Sequence, residues 1–188
     1  MLSRLIAPAL EIMPSYIEAL AEGHRRGASP LATPEELAAM RADPAGWLAT
    51  FTGPRGKTRI NELGQEVPRV PESYVWLVEG DSFLGDAGIR HYLTPALEAS
   101  GGHIGYGVRP AAQGKGHATT LLRLSLDWMA RNLTEEKALL SCRTSNIASR
   151  RVIEKNGGVL IDTTPYPYAE GQMQHRFWLP IPKPDPKI

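Results

Sequence analysis

The segment HIGYGVRPAAQGKGHATTLL, residues 103–122, joins a strand to a long helix through a glycine-rich turn. The run from His103 to Val108 is typical of a strand, and Pro110 ends it. Residues 118–132 carry apolar side chains on nearly every face, which predicts a well-buried helix. The turn between strand and helix includes Lys115 and no acidic side chain.

Such a turn is suited to an anion. The first amides of a helix have no intrahelical partner, and the helix dipole adds partial positive charge there. Gly114 and Gly116 let the backbone approach phosphate oxygens, while Gln113 and Lys115 offer further donors. We therefore predict that this turn holds the pyrophosphate of a coenzyme.

Two other phosphate motifs are excluded. A dinucleotide fingerprint needs a third glycine and an acidic residue about twenty positions later, and the segment has neither. GPRGKT, residues 53–58, resembles the end of a nucleoside-triphosphate loop, but Phe51 occupies the place of its first glycine. No strand is predicted before it either.

The rest of the chain predicts helices first, then antiparallel strands, then two β–α–β-like steps. A first strand is expected over residues 3–7, and Thr33 with Pro34 marks a helix start. Residues 53–71 are predicted to form a loop, with or without a short strand inside it. Further predicted elements are a hairpin over 74–93, strands over 137–143, 159–163 and 174–181, and a helix over 146–158.

Composition sets further limits. The 188 residues suffice for one domain, and we expect residues 1–180 to form it, with a flexible tail over 181–188. A formal net charge of +1 indicates neither nucleic acid nor a membrane as partner. Cys142 is the single cysteine, so no intramolecular disulfide is possible, which fits a cytoplasmic location.

Two blocks of the sequence resemble the GNAT family of N-acetyltransferases. VRPAAQGKGHATTLL resembles the family's coenzyme A signature, with Gln113, Gly116 and Ala118 in register. NIASRRVIEKNGG, residues 146–158, resembles the helix that begins with Asn-x-x-Ala/Ser, with Gly157 in register. The motifs RH and GGHIGY, residues 90–91 and 101–106, are similar to those of a bacterial subgroup. The resemblance covers residues 68–160.

This resemblance implies an α+β fold: a single GNAT-like domain whose central, mixed and mostly antiparallel sheet is flanked by helices. Two strands would splay apart to form the coenzyme A cleft. Strand 103–108 would offer amides to the pantetheine arm, and residues 113–118 would hold the pyrophosphate. Asn146 would reach the pantetheine or the acceptor, or cap its helix. The implied cofactor-binding residues are Tyr106, Gly107, Val108, Gln113, Gly114, Lys115, Gly116, His117, Ala118 and Asn146.

The implied reaction is direct transfer of an acetyl group from acetyl-CoA to a primary amine of a small molecule or a protein N-terminus. A backbone amide at Tyr106 or Val108 would stabilise the oxyanion. His91 is the first candidate for the base, with His103 and Glu79 behind it, and a structural role is the alternative for each. Ser149 or water would protonate the thiolate.

The sequence also departs from the family. Ile153 and Gly158 occupy positions where many relatives have aromatic residues, and the tyrosine that protonates the sulfur is therefore missing. This leaves a non-catalytic coenzyme A-binding or ligand-sequestering module of the same fold as the alternative. Tyr166 and Tyr168 would border the acceptor pocket or fill a loop. We expect no metal, an inert Cys142, and by resemblance alone a possible homodimer.

Overall fold

The computed structural model describes residues 2–25, 30–53, 56–60 and 63–183. Its six helices are α1 (Met13–Ala21), α2 (Pro34–Ala42), α3 (Pro44–Thr52), α4 (Pro95–Ala99), α5 (His117–Asn132) and α6 (Ile147–Lys155). Its nine strands are β1 (Arg4–Ile6), β2 (Thr58–Ile60), β3 (Glu66–Pro68), β4 (Glu72–Glu79), β5 (Ser82–Arg90), β6 (Ile104–Val108), β7 (Lys137–Arg143), β8 (Val159–Pro165) and β9 (Met173–Pro180). Part of the predicted tail, residues 184–188, lies outside the described residues.

The strands form one four-stranded sheet, ordered β1-β4-β5-β6, and one three-stranded sheet, ordered β7-β9-β8. All their ladders are antiparallel in the described residues. The predicted α+β fold is confirmed. Strands β2 and β3 add a small hairpin inside the segment predicted as a loop.

Helices cover both faces of the four-stranded sheet. On one face, Leu121, Leu122 and Met129 of α5 are fully buried in the main core. On the other face, Tyr16 of α1 stacks on Trp76 of β4 with 4.8 Å between ring centroids. These two apolar layers stabilise β4 and β5 between them, because burial of large side chains is the main favourable contribution to folding.

The helix N-termini differ in one respect that matters for function. Side-chain oxygens cap α2, α3, α4 and α6, through Thr33, Asp43, Thr94 and Asn146. The residue before helix α5 is Gly116, which has a left-handed φ of 85° and no side chain with which to cap the helix. Its first turn contains no acidic residue. The amides at the start of the longest helix are therefore not capped by a side chain.

The two sheets meet at one pivot. An isolated bridge pairs Gly102 with Leu140, and His103 N donates to Leu139 O at 2.7 Å. Gly102 has φ +65°, and a Cβ there would lie 2.1 Å from Leu139 O, so glycine is required. The His103 imidazole accepts the return bond from Leu139 N through Nδ1 at 2.9 Å.

None of the helices in the described ranges is both long and apolar enough to cross a membrane.

The pivot histidine makes stability depend on pH. Burial is the main cause that lowers the pKa of His103 below 6.5, and Nδ1 must stay unprotonated to accept from Leu139 N. We expect His103→Leu to lower the free energy of unfolding by roughly 1–3 kcal/mol at neutral pH, because a buried N–H loses its acceptor. Below about pH 6.5 the imidazole becomes protonated in the unfolded state before it does in the folded state. The difference in free energy of unfolding between the wild type and His103→Leu therefore shrinks as the pH falls.

Urea denaturation of both proteins at about pH 7.5 and about pH 5.5 measures this. If the free energy of unfolding of the wild type exceeds that of His103→Leu by the same amount at both pH values, the role given to His103 is contradicted.

Candidate active site

One edge of β6 pairs with no other strand in the part of the chain that the structure describes. Arg109 N donates to Leu84 O at 2.9 Å, so the odd-numbered residues at this end of β6 direct their backbone N–H and C=O groups toward β5. Because hydrogen bonds alternate along an antiparallel ladder, the N–H groups of Tyr106 and Val108 point to the opposite edge. In the described chain no ladder joins that edge to β7. Two backbone donors therefore face the gap between the sheets.

Two glycines keep this strand open. A Cβ on Gly105 would meet no atom within 4 Å, and Gly105 is exposed to the cleft. A Cβ on Gly107 would lie 3.2 Å from His24 Cε1, so Gly107 lets the end of the α1 segment pack against the strand. One glycine thus leaves space for a ligand, and the other makes space for a side chain.

The turn between β6 and α5 is shaped by its own hydrogen bonds. Gln113 Nε2 donates to Val108 O at 3.2 Å, and Lys115 Nζ donates to Ala111 O at 3.1 Å. Gly114 and Gly116 have φ of 77° and 85°, which side-chain-bearing residues adopt with difficulty. The side chains of Gln113 and Lys115, predicted as donors to the ligand, therefore also bond the turn itself.

The start of α5 is where an anion fits. Its first helical hydrogen bond runs from Thr120 N to Gly116 O at 3.1 Å. The amides of His117, Ala118 and Thr119 precede that bond and have no helical acceptor. With no acidic side chain nearby in the first turn, the helix dipole favours a phosphate group at this position.

A clamp ties this turn to α1. The Arg109 guanidinium forms an ion pair with Glu22 and donates to Ser15 Oγ at 3.0 Å. The hydrogen bond to Glu22 raises the pKa of Arg109, and the same bond lowers the pKa of Glu22. Ala111 N also donates to Glu22 at 3.3 Å. The clamp therefore fixes the turn beside the residues that follow α1.

Side chains from three elements converge at the gap. The Tyr106 hydroxyl of β6 lies 2.9 Å from Ser149 Oγ of α6. Burial raises the pKa of Tyr106 to about 12, and the Ser149 hydrogen bond only partly opposes this. Cys142 of β7 lines the same cleft, and burial raises the pKa of its thiol. Two of the three predicted catalytic residues, Tyr106 and Ser149, are thus in contact.

The rest of α6 serves the fold. Asn146 Oδ1 accepts from Ser149 N at 3.0 Å, which is the capping alternative left open by the sequence. Ile153 is fully buried in the main core. The position where many relatives have a tyrosine therefore packs against apolar side chains.

A cleft of about 610 Å³ opens beside the gap. Gly105 and Tyr106 line it from β6, and Ser141, Cys142 and Arg143 line it from β7. The predicted pair Tyr166 and Tyr168 also lines this cleft, with 5.4 Å between ring centroids. Arg143 stacks on Tyr166, its Cζ 4.6 Å from the ring centroid. The tyrosine pair thus borders the cleft.

The floor of the cleft holds a dyad that sequence reasoning missed. Asp86 of β5 is 4% exposed, and its Oδ1 lies 3.2 Å from His24 Nε2. Asp86 Oδ2 is buried without a hydrogen-bond partner in the described structure, and so is Nε1 of its ladder partner Trp76. Buried polar atoms are normally hydrogen-bonded, so these two atoms leave unused hydrogen-bonding capacity on two directly opposed residues.

His91 lies elsewhere. Its Nε2 is 2.9 Å from Ser73 Oγ, and its ring centroid is 6.1 Å from that of Trp128 on α5. Asp86 and Arg90 line the cleft, whereas His91 is not among its lining residues. Because side chains alternate along a strand, the residue after Arg90 faces the opposite side. His103 is the pivot described above, and Glu79 lies at the β4–β5 turn, outside the cleft lining.

No group of three or more His, Cys, Asp or Glu side chains suited to a metal ion occurs among the residues that the structure describes.

A family model described as Acetyltransferase (GNAT) domain matches residues 30–159, which is more than half of the chain. No protein of curated function matches the chain significantly.

Three solved structures illustrate the shared fold. RimL, a ribosomal alpha-N-protein acetyltransferase in complex with coenzyme A, has TM-score 0.57 and 16% identity, covering 95% of this chain and 94% of that chain. The ribosomal-protein-S18-alanine N-acetyltransferase from Escherichia coli has TM-score 0.54 and 12% identity, with coverages of 100% and 99%. A spermidine N-acetyltransferase SpeG chimera from Vibrio cholerae and hSSAT has TM-score 0.57 and 15% identity, with coverages of 95% and 95%.

The environment of Tyr106 can be tested by titration. Because burial raises its pKa to about 12, we expect its hydroxyl to remain protonated at about pH 11, where an exposed tyrosine is mostly ionised. The Cζ chemical shift of ¹³C-labelled tyrosine reports ionisation, and Tyr106→Phe identifies the signal. Ionisation of Tyr106 near pH 10 would show that the gap is open to solvent at this point.

Proposed function

The chain belongs to the GNAT acetyltransferase family, and from this premise we propose that it is an acetyl-CoA-dependent N-acetyltransferase. Its acceptor is a primary amine, on a small molecule or at a protein N-terminus, that attacks the thioester directly. The observation that carries the proposal is the unpaired edge of β6, which runs directly into the uncapped start of α5. A strand edge and a helix start in this order match an elongated ligand with a polar arm and a pyrophosphate.

The residues fit acetyl-CoA as co-substrate. The amides of Tyr106 and Val108 offer donors to the pantetheine arm, and Gly105 leaves the approach open. The amides of His117 and Ala118, with those of the turn before them, meet the pyrophosphate. An amide on β6 is also placed to stabilise the oxyanion that forms when the amine attacks.

We assign the base to Asp86. Its Oδ1 is held by His24, Oδ2 is buried without a hydrogen-bond partner in the described structure, and the residue lines the cleft. As the amine nitrogen bonds to the acetyl carbon, its proton passes to Oδ2 directly or through water. His24 acts as a positioning residue. His91, the candidate favoured by the sequence, has no part in this proposal because of its position beside α5.

The departing sulfur needs a proton. The C–S bond breaks as the amide forms, and the thiolate takes its proton from the Tyr106–Ser149 hydroxyl pair or from water. Burial keeps Tyr106 protonated at neutral pH by raising its pKa to about 12, and its contact with Ser149 places both hydroxyls at the gap. Asn146, which caps α6, supports Ser149 through the backbone.

The open space above Gly105 gives a test of cofactor binding. We expect Gly105→Val to weaken binding of acetyl-CoA roughly tenfold or more, because the added side chain enters the space where the pantetheine would lie. Its stability should change by less than about 1 kcal/mol, since a Cβ there meets no protein atom within 4 Å. Calorimetric titration with acetyl-CoA and thermal unfolding measure the two effects.

The matched control is Gly56→Val, at an exposed glycine that does not line the cleft. It should bind acetyl-CoA like the wild type. Undiminished binding by Gly105→Val would place the cofactor elsewhere.

The role of Asp86 is tested by Asp86→Asn, which keeps the shape of the side chain and removes its basicity. We expect kcat to fall roughly 10²–10⁴-fold while acetyl-CoA affinity stays the same. Thiol release from acetyl-CoA with a panel of primary amines gives the rate. Asp81→Asn, at the exposed β4–β5 turn, is the control.

An unchanged kcat in Asp86→Asn would refute the assignment of the base. A wild type that binds acetyl-CoA tightly yet releases no thiol with any amine would instead favour the non-catalytic binding module.

A further inference from the structure

The cleft is richer in positive charge than the chain as a whole. Its charged lining residues are four arginines and two acids: Arg59, Arg69, Arg90, Arg143, Glu72 and Asp86. The whole chain, by contrast, has a formal net charge of only +1. A cleft shaped for a polycationic amine would show the opposite balance, because like charges at close range repel.

The two acids are already engaged. Asp86 is bonded to His24 and is the proposed base. Glu72 accepts from the Tyr74 hydroxyl at 2.8 Å, and its Oε1 lies 3.8 Å from Arg90 Nε. Within the described residues, the nearest counter-charge of Arg90 is therefore Glu72.

Arg59 and Arg69 come from the β2–β3 hairpin, which forms one wall of the cleft. Arg69 Nε donates to Thr58 O at 3.4 Å. Arg59 forms no ion pair with a carboxylate in the described part of the chain. Among the residues that the structure describes, neither guanidinium is paired with an acid, so both add positive charge to the wall of the cleft that holds Arg90.

Arg90 experiences this crowding. Burial lowers the pKa of its guanidinium, Glu72 opposes the effect, and the like charge of Arg59 lowers it further. Arg90 also donates from Nη1 to Gly102 O at 2.7 Å, which ties it to the pivot. Neighbouring arginines that repel one another are stabilised when an anion binds between them.

We infer that the acceptor carries an anionic group, a carboxylate or a phosphate, which binds at Arg59, Arg69 and Arg90 while its amine lies at Asp86. This inference rests on the proposed function and names the substrate class of the same cleft. Planar guanidinium groups suit both anions because they can donate two parallel hydrogen bonds.

The layout of β5 sets the reach of such an acceptor. Asp86 and Arg90 lie on one face of the strand, four residues apart, which is about 13 Å between Cα atoms. Gly88 lies between them, and the Glu72 carboxylate covers it, since a Cβ there would be 2.7 Å from Glu72 Oε1. The acceptor therefore extends along the strand, with its amine and its anion several bonds apart.

Matched acceptors test the charge requirement. The pairs are tetraglycine with tetraglycinamide, and 6-aminohexyl phosphate with 6-aminohexan-1-ol, whose chains are long enough to extend along β5; spermidine serves as a cationic probe. We expect the anionic member of at least one pair to have a KM about tenfold or more below that of its neutral partner. The pair that shows the lower KM identifies whether the anionic group of the acceptor is a carboxylate or a phosphate.

Arg59→Gln supplies the residue-specific test. It should raise the KM of the anionic acceptor about tenfold, while the KM of the neutral acceptor and that of acetyl-CoA stay the same. Arg123→Gln is the matched control, because Arg123 lies on α5, is 60% exposed and pairs with Asp127. Thermal unfolding confirms that both variants are folded.

Two readouts separate this inference from the proposed function: thiol release, and calorimetric binding of the acceptor in the presence of coenzyme A. Equal KM values within both pairs, or a preference for spermidine, overturn the inference and leave acetyl transfer standing. Binding of an anionic acceptor that needs Arg59, without thiol release from acetyl-CoA, supports the inference and overturns the proposed reaction. Neither binding nor release with any probe overturns both.

Discussion

The structure depends on the pivot at which the two sheets meet and beyond which they stay apart. Gly102 lies so close to the Leu139 carbonyl that no side chain fits, and His103 uses its imidazole to complete the contact with the same residue. A strand that is held at one end and unpaired along the rest leaves backbone donors exposed. Such donors are costly to bury without a partner, which makes the gap a natural site for a polar ligand.

The same arrangement brings the chemical groups together. Strand β6 leads from the pivot to the turn and then to α5, so the amides that we propose bind the coenzyme form one continuous path. Its neighbour β5 presents Asp86 and Arg90 on the cleft side. The Arg109–Glu22 clamp holds the α1 segment over β6, and His24 thereby reaches Asp86. Binding of the coenzyme, attack by the amine and recognition of the acceptor are thus proposed for adjacent parts of two strands.

How much of the fold and of the site the sequence predicts depends on how far apart along the chain the interacting residues lie. The strand–turn–helix around Gly116 is local, and its residues alone predicted it. His24 and Asp86 are 62 positions apart and meet only through tertiary packing, so no spacing rule could pair them. His91 adjoins Arg90, which lines the cleft, but one step along a strand reverses the face of the sheet, so sequence position alone did not indicate on which face His91 lies. The β2–β3 hairpin lies in a stretch rich in glycine, proline and charge, and such a composition predicts a loop rather than paired strands.

The most direct measurement is amide hydrogen exchange of the folded protein with and without coenzyme A, resolved by residue in NMR spectra. We expect coenzyme A to slow exchange at Tyr106, Val108 and the first turn of α5, while amides already bonded to β5, such as that of Gly107, change little. Unchanged exchange at Tyr106 and Val108 under saturating coenzyme A would contradict the claim that the unpaired edge of β6 binds the cofactor.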